Sequence, residues 1–232
     1  MPVTLAEAVL LVLRSLAPYS QEPEPETAAE LDWRRTQAAI CITGAAETRA
    51  RGWSRERVAA SLVALGEAES HFARYVWVGD CMRGPVGARC DPHRGVSRAR
   101  TAWQLHRAAC PRAWSLPHGS TAEVCAAAEC AASLLQGAAH RCRNRAVSPE
   151  AGAFSGYAGI SCTRPGSVRR ARRMAALESQ IRTIMSRPSV QSLNVSPLDA
   201  GLAGSPGPGP VPPAVALWAG PTGARSSEAK WR

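Results

Sequence analysis

Eight cysteines, all between residues 41 and 162, restrict the fold of this 232-residue chain more than any other feature. They stand at positions 41, 81, 90, 110, 125, 130, 142 and 162, and no two of them form a CxxC pair. This spacing favours disulfides over a zinc site, and disulfides persist in oxidising compartments. We therefore expect a periplasmic or secreted protein whose middle part is held by disulfide bonds.

The pairing of these cysteines is mostly open from sequence. Cys81 and Cys90 bracket a short loop rich in Gly, Pro and Arg, and their proximity favours a bond between them. Cys125 and Cys130 lie on one predicted helix, about 140° apart around its axis. They cannot bond to each other, so each faces a different partner or stays free.

The first twenty residues, MPVTLAEAVLLVLRSLAPYS, do not have the pattern of a signal peptide. Glu7 stands where a signal peptide carries positive charge, and Arg14 interrupts the apolar run. Thr4 and Glu7 instead predict a capping box that opens an amphipathic helix. We expect no transmembrane segment, because no stretch is long and apolar enough. Export then requires another route or an upstream start.

The formal charge of +10 is almost wholly arginine, since Lys230 is the only lysine. A GC-rich coding sequence produces the same bias toward Ala, Arg, Gly and Pro, so the charge has little weight as a functional signal. It still implies affinity for anionic surfaces such as cell-wall polymers, acidic glycans or nucleic acid. We expect no specific nucleic-acid partner.

Hydrophobic periodicity predicts a mainly helical fold. After the helix at the start of the chain, helices are predicted over residues 28–52, 53–72, 101–109, 120–136 and 167–186. The glycine-rich stretch 151–162 is predicted as a turn between elements.

Composition divides the chain into three parts. Residues 1–26 form an N-terminal helix and a connector, and residues 27–187 form a helical domain. Residues 188–232 are dominated by Pro, Gly, Ser and Ala, which predicts a disordered tail.

The helix predicted over residues 53–72 carries the most informative pattern. Behind the candidate N-cap Ser54, apolar residues recur with the spacing of one helix face, at Val58, Leu62 and Leu65. At about 100° per residue, Glu69 continues this face, whereas Glu67 falls on the opposite side. A desolvated carboxylate has a raised pKa, which is the property of a general acid. The structural alternative is a helix end at which the carboxylate reaches water or an arginine.

Three motifs, in order along the chain, resemble those of soluble lytic transglycosylases in the lysozyme-like superfamily. Residues 69–72, Glu-Ser-His-Phe, are similar to the catalytic Glu-Ser-x-Phe motif. Residues 99–105, ARTAWQL, resemble a second motif, in which a bulky residue and a glutamine line the sugar cleft. Residues 154–159, FSGYAG, resemble a Tyr-Asn-x-Gly motif whose tyrosine points at the catalytic glutamate. The resemblance covers about residues 27–185.

Two departures from the family pattern are visible. Thr101 and Ala102 occupy the place where a glycine is expected before the glutamine, and Ala158 follows Tyr157 where the family has asparagine. These changes affect the geometry of the sugar subsites more than the catalytic acid.

The resemblance implies a lysozyme-like helical domain that cleaves the β-1,4 bond between MurNAc and GlcNAc in peptidoglycan. It implies that Glu69 is the general acid and base and that the substrate-binding residues are Ser70, Trp103, Gln104 and Tyr157. A lytic transglycosylase makes a 1,6-anhydro sugar with one glutamate, whereas a lysozyme usually adds a second carboxylate. Asp80 and Asp91 are the nearby candidates for that second group. We expect no metal or cofactor, and a monomer that binds glycan strands.

Each proposed site residue also has a structural interpretation. Tyr157 could be a core aromatic, Trp103 and Gln104 a packed residue and its surface neighbour, and Ser70 a helix-end hydroxyl.

For the whole protein, one competitor is a catalytically inert glycan-binding module on the same fold. Another is a disulfide-rich secreted protein whose arginines at 169–173 bind a polyanion, with a solvated helix face as the structural alternative.

Overall fold

Four helices of the chain begin at a serine or threonine that caps them. The computed structural model describes residues 2–20, 26–50, 52–77, 100–157 and 161–187. At each of these four helices a side-chain hydroxyl accepts a hydrogen bond from a backbone N–H of the first turn. The hydroxyls belong to Thr4, Thr27, Ser54 and Ser120. Glu7 and Glu30 complete capping boxes at the first two of these helices, as predicted for Glu7.

Within the described residues the order of helices is α1 (Leu5–Ser15), α2 (Ala28–Arg49), α3 (Arg55–Ser70), α4 (Arg74–Trp77), α5 (Pro111–Trp114), α6 (Thr121–Cys142), α7 (Pro149–Tyr157) and α8 (Ser167–Met185). One isolated antiparallel bridge joins Arg100 and Leu105. The prediction of a mainly helical fold is confirmed. In the described part of the chain, every helix is either too short or too polar to span a lipid bilayer.

α3 is the central helix of the domain. Every residue from 58 to 66 is buried, so the helix is surrounded on all sides rather than on one face. Val9 and Val12 of α1 are completely buried in the same apolar cluster as α2, α3, α6 and α8. The N-terminal helix therefore shares the core of the helices that follow, and all of them belong to one compact unit.

Two predicted elements are wrong. Residues 101–109 form turns instead of a helix, and the next helix starts only at Pro111, where proline suits the first helical turn. Thr101 and Gln104 have φ values of 64° and 52°, which no helix tolerates. Hydrophobic periodicity gives no warning of such backbone angles.

The predicted turn at residues 151–162 is the second error, because α7 occupies most of it. Its glycines permit close packing on α6. A Cβ atom at Gly152 would lie 2.8 Å from the Cβ of Cys142, and one at Gly156 would lie 2.8 Å from the Cβ of Ala138. Tertiary packing thus outweighs the low helix propensity of glycine here.

Three disulfides connect the described helices. They are Cys41–Cys125 between α2 and α6, Cys110–Cys130 between the start of α5 and α6, and Cys142–Cys162 between the end of α6 and the segment before α8. Cys125 and Cys130 have different partners, as predicted. The three bonds indicate an oxidising, extracytoplasmic environment. The predicted Cys81–Cys90 bond and the predicted tail at 188–232 lie outside the described residues.

Candidate functional site

The C-terminal end of α3 turns sharply and presents the first motif to the second. His71 and Phe72 both have left-handed φ values, 53° and 52°. The Ser70 hydroxyl donates to the carbonyl of Ala102 at 2.8 Å and accepts from the Phe72 N–H at 3.1 Å. Arg34, buried on α2, donates to the Phe72 carbonyl and fixes the turn from the other side. Ser70 is therefore a buried link between two motifs. It does not occupy a position from which it could contact a sugar directly.

The second motif is a tight turn closed by the Arg100–Leu105 bridge. Trp103 is completely buried at its tip, and its indole N–H donates to the carbonyl of Leu62 in α3 at 3.0 Å. The predicted contact between Trp103 and a sugar ring is therefore excluded in this arrangement, because no face of the indole reaches solvent. Trp103 instead fixes the turn to the central helix.

A buried ionic cluster holds the base of this turn. Glu123 of α6 is fully buried and accepts hydrogen bonds from Arg100 at 3.2 Å and from the Gly119 N–H at 2.7 Å, and its carboxylate lies 2.8 Å from Nδ1 of His118. The Arg100 guanidinium also lies over the ring of Trp114, 4.2 Å from its centroid. A buried carboxylate with this many partners holds its neighbours in one geometry.

Gln104 follows Trp103 on the open side of the turn. Its side chain is partly exposed, and its amide nitrogen lies 3.5 Å from the Thr101 carbonyl, too far for a strong hydrogen bond. Within the described residues this long contact is the only side-chain hydrogen bond of Gln104, and its role in substrate binding stays a prediction.

Thr101 stands where the resembled motif has glycine, and its backbone has a glycine-type φ of 64°. We expect Thr101→Gly to stabilise the protein by about 1 kcal/mol, because a residue strained in this way costs about 1–3 kcal/mol and glycine returns about 0.5–1 kcal/mol through its unfolded-state entropy. The buried Thr101 hydroxyl, which has no partner among the described residues, leaves with the side chain. Urea unfolding with the disulfides intact measures the change.

Thr101→Ala is the matched control, since it removes the hydroxyl but keeps the strained Cβ. We expect Thr101→Gly to be the more stable of the two variants. The opposite order would contradict the strain argument.

Tyr157, at the end of α7, brings the third motif to the same place. Its hydroxyl donates to the carbonyl of Trp103 at 2.7 Å. Burial raises the pKa of Tyr157 well above its usual value, the Glu69 carboxylate raises that pKa further, and the Arg170 guanidinium lowers it. Tyr157 is therefore close enough to interact with both charged groups.

The shifted pKa of Tyr157 predicts how the protein responds to alkali. A folded-state pKa above the unfolded value of about 10 makes a stability contribution that is complete below that pH and is lost as the pH rises through the folded pKa. The tyrosinate absorbance present in the wild type and missing in Tyr157→Phe should therefore develop only above about pH 10. A difference signal that titrates at or below this pH in the folded protein would contradict the buried position.

Glu69 is less exposed than Glu67, at 15% against 30% of the side chain, but both carboxylates face arginines of α8 and Glu69 does not lie in an apolar site. Its carboxylate accepts a hydrogen bond of 2.6 Å from Arg170 of α8, and the two side chains are 15% and 27% exposed. Of the two alternatives for Glu69, this ion pair matches the helix end at which the carboxylate reaches an arginine, and not the desolvated acid. Glu67 forms a second pair, with two hydrogen bonds of 2.8 and 3.0 Å from Arg173.

Arg170 is the site residue that sequence reasoning missed. Arg170 and Arg173 are three residues apart and so share one face of α8, which is the signal that could have identified them as partners of Glu69 and Glu67. Two of the four arginines in the predicted polyanion-binding stretch are thus used in ion pairs. Arg169 and Arg172 remain exposed.

An open pocket of about 70 Å³ includes Arg170 of the Glu69–Arg170 pair in its lining. Its lining consists of Phe154, Arg164, Pro165, Ser167 and Arg170. Two arginines and one hydroxyl residue give this pocket the chemistry of an anion site. The second-carboxylate candidates Asp80 and Asp91 lie outside the described residues.

Comparison with known proteins identifies no relative of this chain. No family model, no curated protein and no solved structure matches it. Interpretation of the site therefore depends on the geometry of its own side chains.

Proposed function

We propose that the chain is a lysozyme-like, peptidoglycan-cleaving lytic transglycosylase with Glu69 as its acid and base. The observation that carries the proposal is the contact among the three motifs. Ser70 bonds to Ala102 across 32 residues, and Tyr157 bonds to the Trp103 carbonyl across 54 residues. Short motifs that match a family by chance are not expected to contact one another at the end of one buried helix. Their meeting supports a common role.

The proposed reaction begins with a proton on the Glu69 carboxyl group. Glu69 transfers this proton to the glycosidic oxygen as the bond from C1 of MurNAc breaks. The resulting carboxylate accepts the proton of the C6 hydroxyl of the same sugar, while the C6 oxygen bonds to C1. The products are a 1,6-anhydro end and a free hydroxyl on the leaving sugar, with the Glu69 carboxyl group restored. No water is consumed.

Two neighbours assist in this scheme. Tyr157 stays neutral because of its raised pKa, and its bond to the Trp103 carbonyl holds the turn next to Glu69. Gln104 presents an amide to the sugar. Arg170 must leave Glu69 before the carboxyl group can reach the glycosidic oxygen, because the guanidinium occupies a carboxylate oxygen at 2.6 Å.

Purified peptidoglycan provides the test. The oxidised protein is incubated with it, and the soluble fragments are identified by mass spectrometry. Ends that lack the elements of water support the transglycosylase, and ordinary reducing ends support a lysozyme that uses water in place of the C6 hydroxyl. Release of no fragments would rule out both enzymes.

A second candidate, an inert glycan-binding module on the same fold, is favoured by the Glu69–Arg170 ion pair. A carboxylate held by a guanidinium at 2.6 Å is not ready to act as an acid. This candidate predicts that the protein sediments with insoluble peptidoglycan and releases nothing from it. Under either proposal the protein acts outside the cytoplasm, periplasmic or secreted, as a monomer with glycan strands as its partner.

A further inference from the structure

We propose that Arg164 and Arg170 form a subsite for a carboxylate of the glycan strand, and that this carboxylate draws Arg170 away from Glu69. The inference rests on the proposed glycan-cleaving function and deepens it. It turns the ion pair, which argues against catalysis in the free protein, into a device that makes the acid available only with an anionic substrate.

Arg170 contacts the proposed catalytic residue Glu69 and also lines the pocket. One of its terminal nitrogens donates to Glu69 at 2.6 Å, and the same side chain lines the pocket of about 70 Å³. Its side chain is 27% exposed, so solvent and a ligand can reach the guanidinium. A guanidinium carries five N–H donors, and a single bond to Glu69 leaves donors for a second anion.

Arg164 provides the second cation of the pocket. Its backbone N–H donates to the Ser155 hydroxyl at 2.6 Å, which holds the residue against α7. Its guanidinium has no hydrogen-bond or ion-pair partner in the described part of the chain. An exposed arginine of this kind, beside a partly engaged one, is suited to bidentate binding of a carboxylate.

The charged groups around Glu69 show why Arg170 controls access to this carboxylate. From α7, the neutral hydroxyl of Tyr157 is near Glu69. On α8, the neighbouring arginine Arg173 is already hydrogen-bonded to Glu67. Arg170 is therefore the cation that occupies a Glu69 carboxylate oxygen, at 2.6 Å. A ligand carboxylate that bonds to Arg170 and Arg164 competes with Glu69 for the same donors and so frees this oxygen for the substrate.

Peptidoglycan offers such a carboxylate from two sources. Stem peptides carry free carboxylates, and strands without stems carry the carboxylate of the lactyl ether on MurNAc. Neutral polymers of N-acetylglucosamine carry neither. The chemistry of the subsite is the same for both sources, so the substrates of the experiment separate them.

The test compares cleavage rates of stem-bearing strands, stem-free strands and neutral N-acetylglucosamine oligomers. We expect the wild type to prefer one or both acidic substrates to the neutral one by about tenfold or more in kcat/KM, the size of one charge-assisted contact. Arg164→Gln should lose this preference, mainly through a higher KM for the acidic strand. Arg164 makes no described side-chain contact, so its replacement leaves folding intact.

Arg170→Gln supplies a readout that a structural role would not change. Without this guanidinium, no cation has to be drawn away from Glu69, so the cleavage rate on neutral oligomers should rise relative to the rate on acidic strands. Arg172→Gln is the control. It removes the same charge from α8, but its side chain lines a different pocket, with Arg57 and Glu150. It should leave this ratio of rates unchanged.

The outcomes separate this inference from the proposed function. If the wild type cleaves all three substrates equally and Arg170→Gln leaves the ratio of their rates unchanged, the subsite is wrong and the enzyme stands. If the wild type cleaves nothing, the enzyme is wrong and strand binding decides the subsite. Tighter binding of acidic than of neutral strands, lost in Arg164→Gln, then supports it, and equal binding overturns it.

Discussion

Replacement of Glu69 by glutamine is expected to lower the rate of glycan cleavage by roughly a thousandfold or more, because general acid–base catalysis contributes about 10²–10⁴ to a rate and Glu69 supplies both steps. Glutamine has the size of glutamate and still accepts a hydrogen bond from Arg170, but it cannot donate a proton to a glycosidic oxygen. We therefore expect strand binding to persist while turnover disappears. Initial rates of fragment release from peptidoglycan measure the loss.

Glu67→Gln is the matched control for this experiment. Glu67 lies on the same helix and is also paired with an arginine of α8, at 2.8 Å from Arg173. It loses the same charge and a similar ion pair, which at its exposure is worth about 1 kcal/mol or less. We expect it to retain activity close to the wild type. Equal activity of the two variants would exclude Glu69 as the catalytic acid.

Removal of the Cys41–Cys125 disulfide is expected to cause the largest loss of stability. The bond joins α2 to α6 across a sequence separation of 84 residues. Loop-closure entropy for such a separation corresponds to about 4.5 kcal/mol. Domains of this size unfold with about 5–15 kcal/mol, so the double variant Cys41→Ala/Cys125→Ala should lose a large part of its stability. Urea unfolding followed by circular dichroism, under oxidising conditions, provides the measurement.

The Cys142–Cys162 bond serves as the comparison. Its separation is 20 residues, for which the same relation gives about 3 kcal/mol. Cys41 and Cys142 are both nearly fully buried, so the packing lost with each sulfur is similar. A smaller loss for the Cys41–Cys125 pair than for the Cys142–Cys162 pair would contradict the entropic argument.

Local sequence signals predict most helix starts in this chain. Thr4 and Ser54 cap helices as expected, because capping depends on neighbours within one turn. The two errors arise where distant contacts decide. α7 forms despite its glycines because they let it pack closely on α6, and residues 101–109 leave the helix because Thr101 adopts a left-handed angle in a tight turn.

In the candidate site, too, local features were predictable from sequence and distant contacts were not. The bond between Tyr157 and the Trp103 turn agrees with the resemblance of the three motifs. Of the two alternatives for Trp103, the structure shows the packed side chain and not the sugar-stacking one, a choice that residue type alone does not make. Arg170 escaped notice because it lies on another helix, 101 residues beyond Glu69.

The enclosure of α3 has a consequence for how the site can move. A helix buried along residues 58–66 opens only when much of the domain opens with it, so the backbone that carries Glu69 is among the last parts to fluctuate. α8, which carries Arg170, has only a few buried side chains and mostly exposed ones around them. We therefore expect Arg170 and the surface helix α8 to move when a glycan strand binds. The backbone of α3 should stay in place, so that the strand is aligned on Glu69.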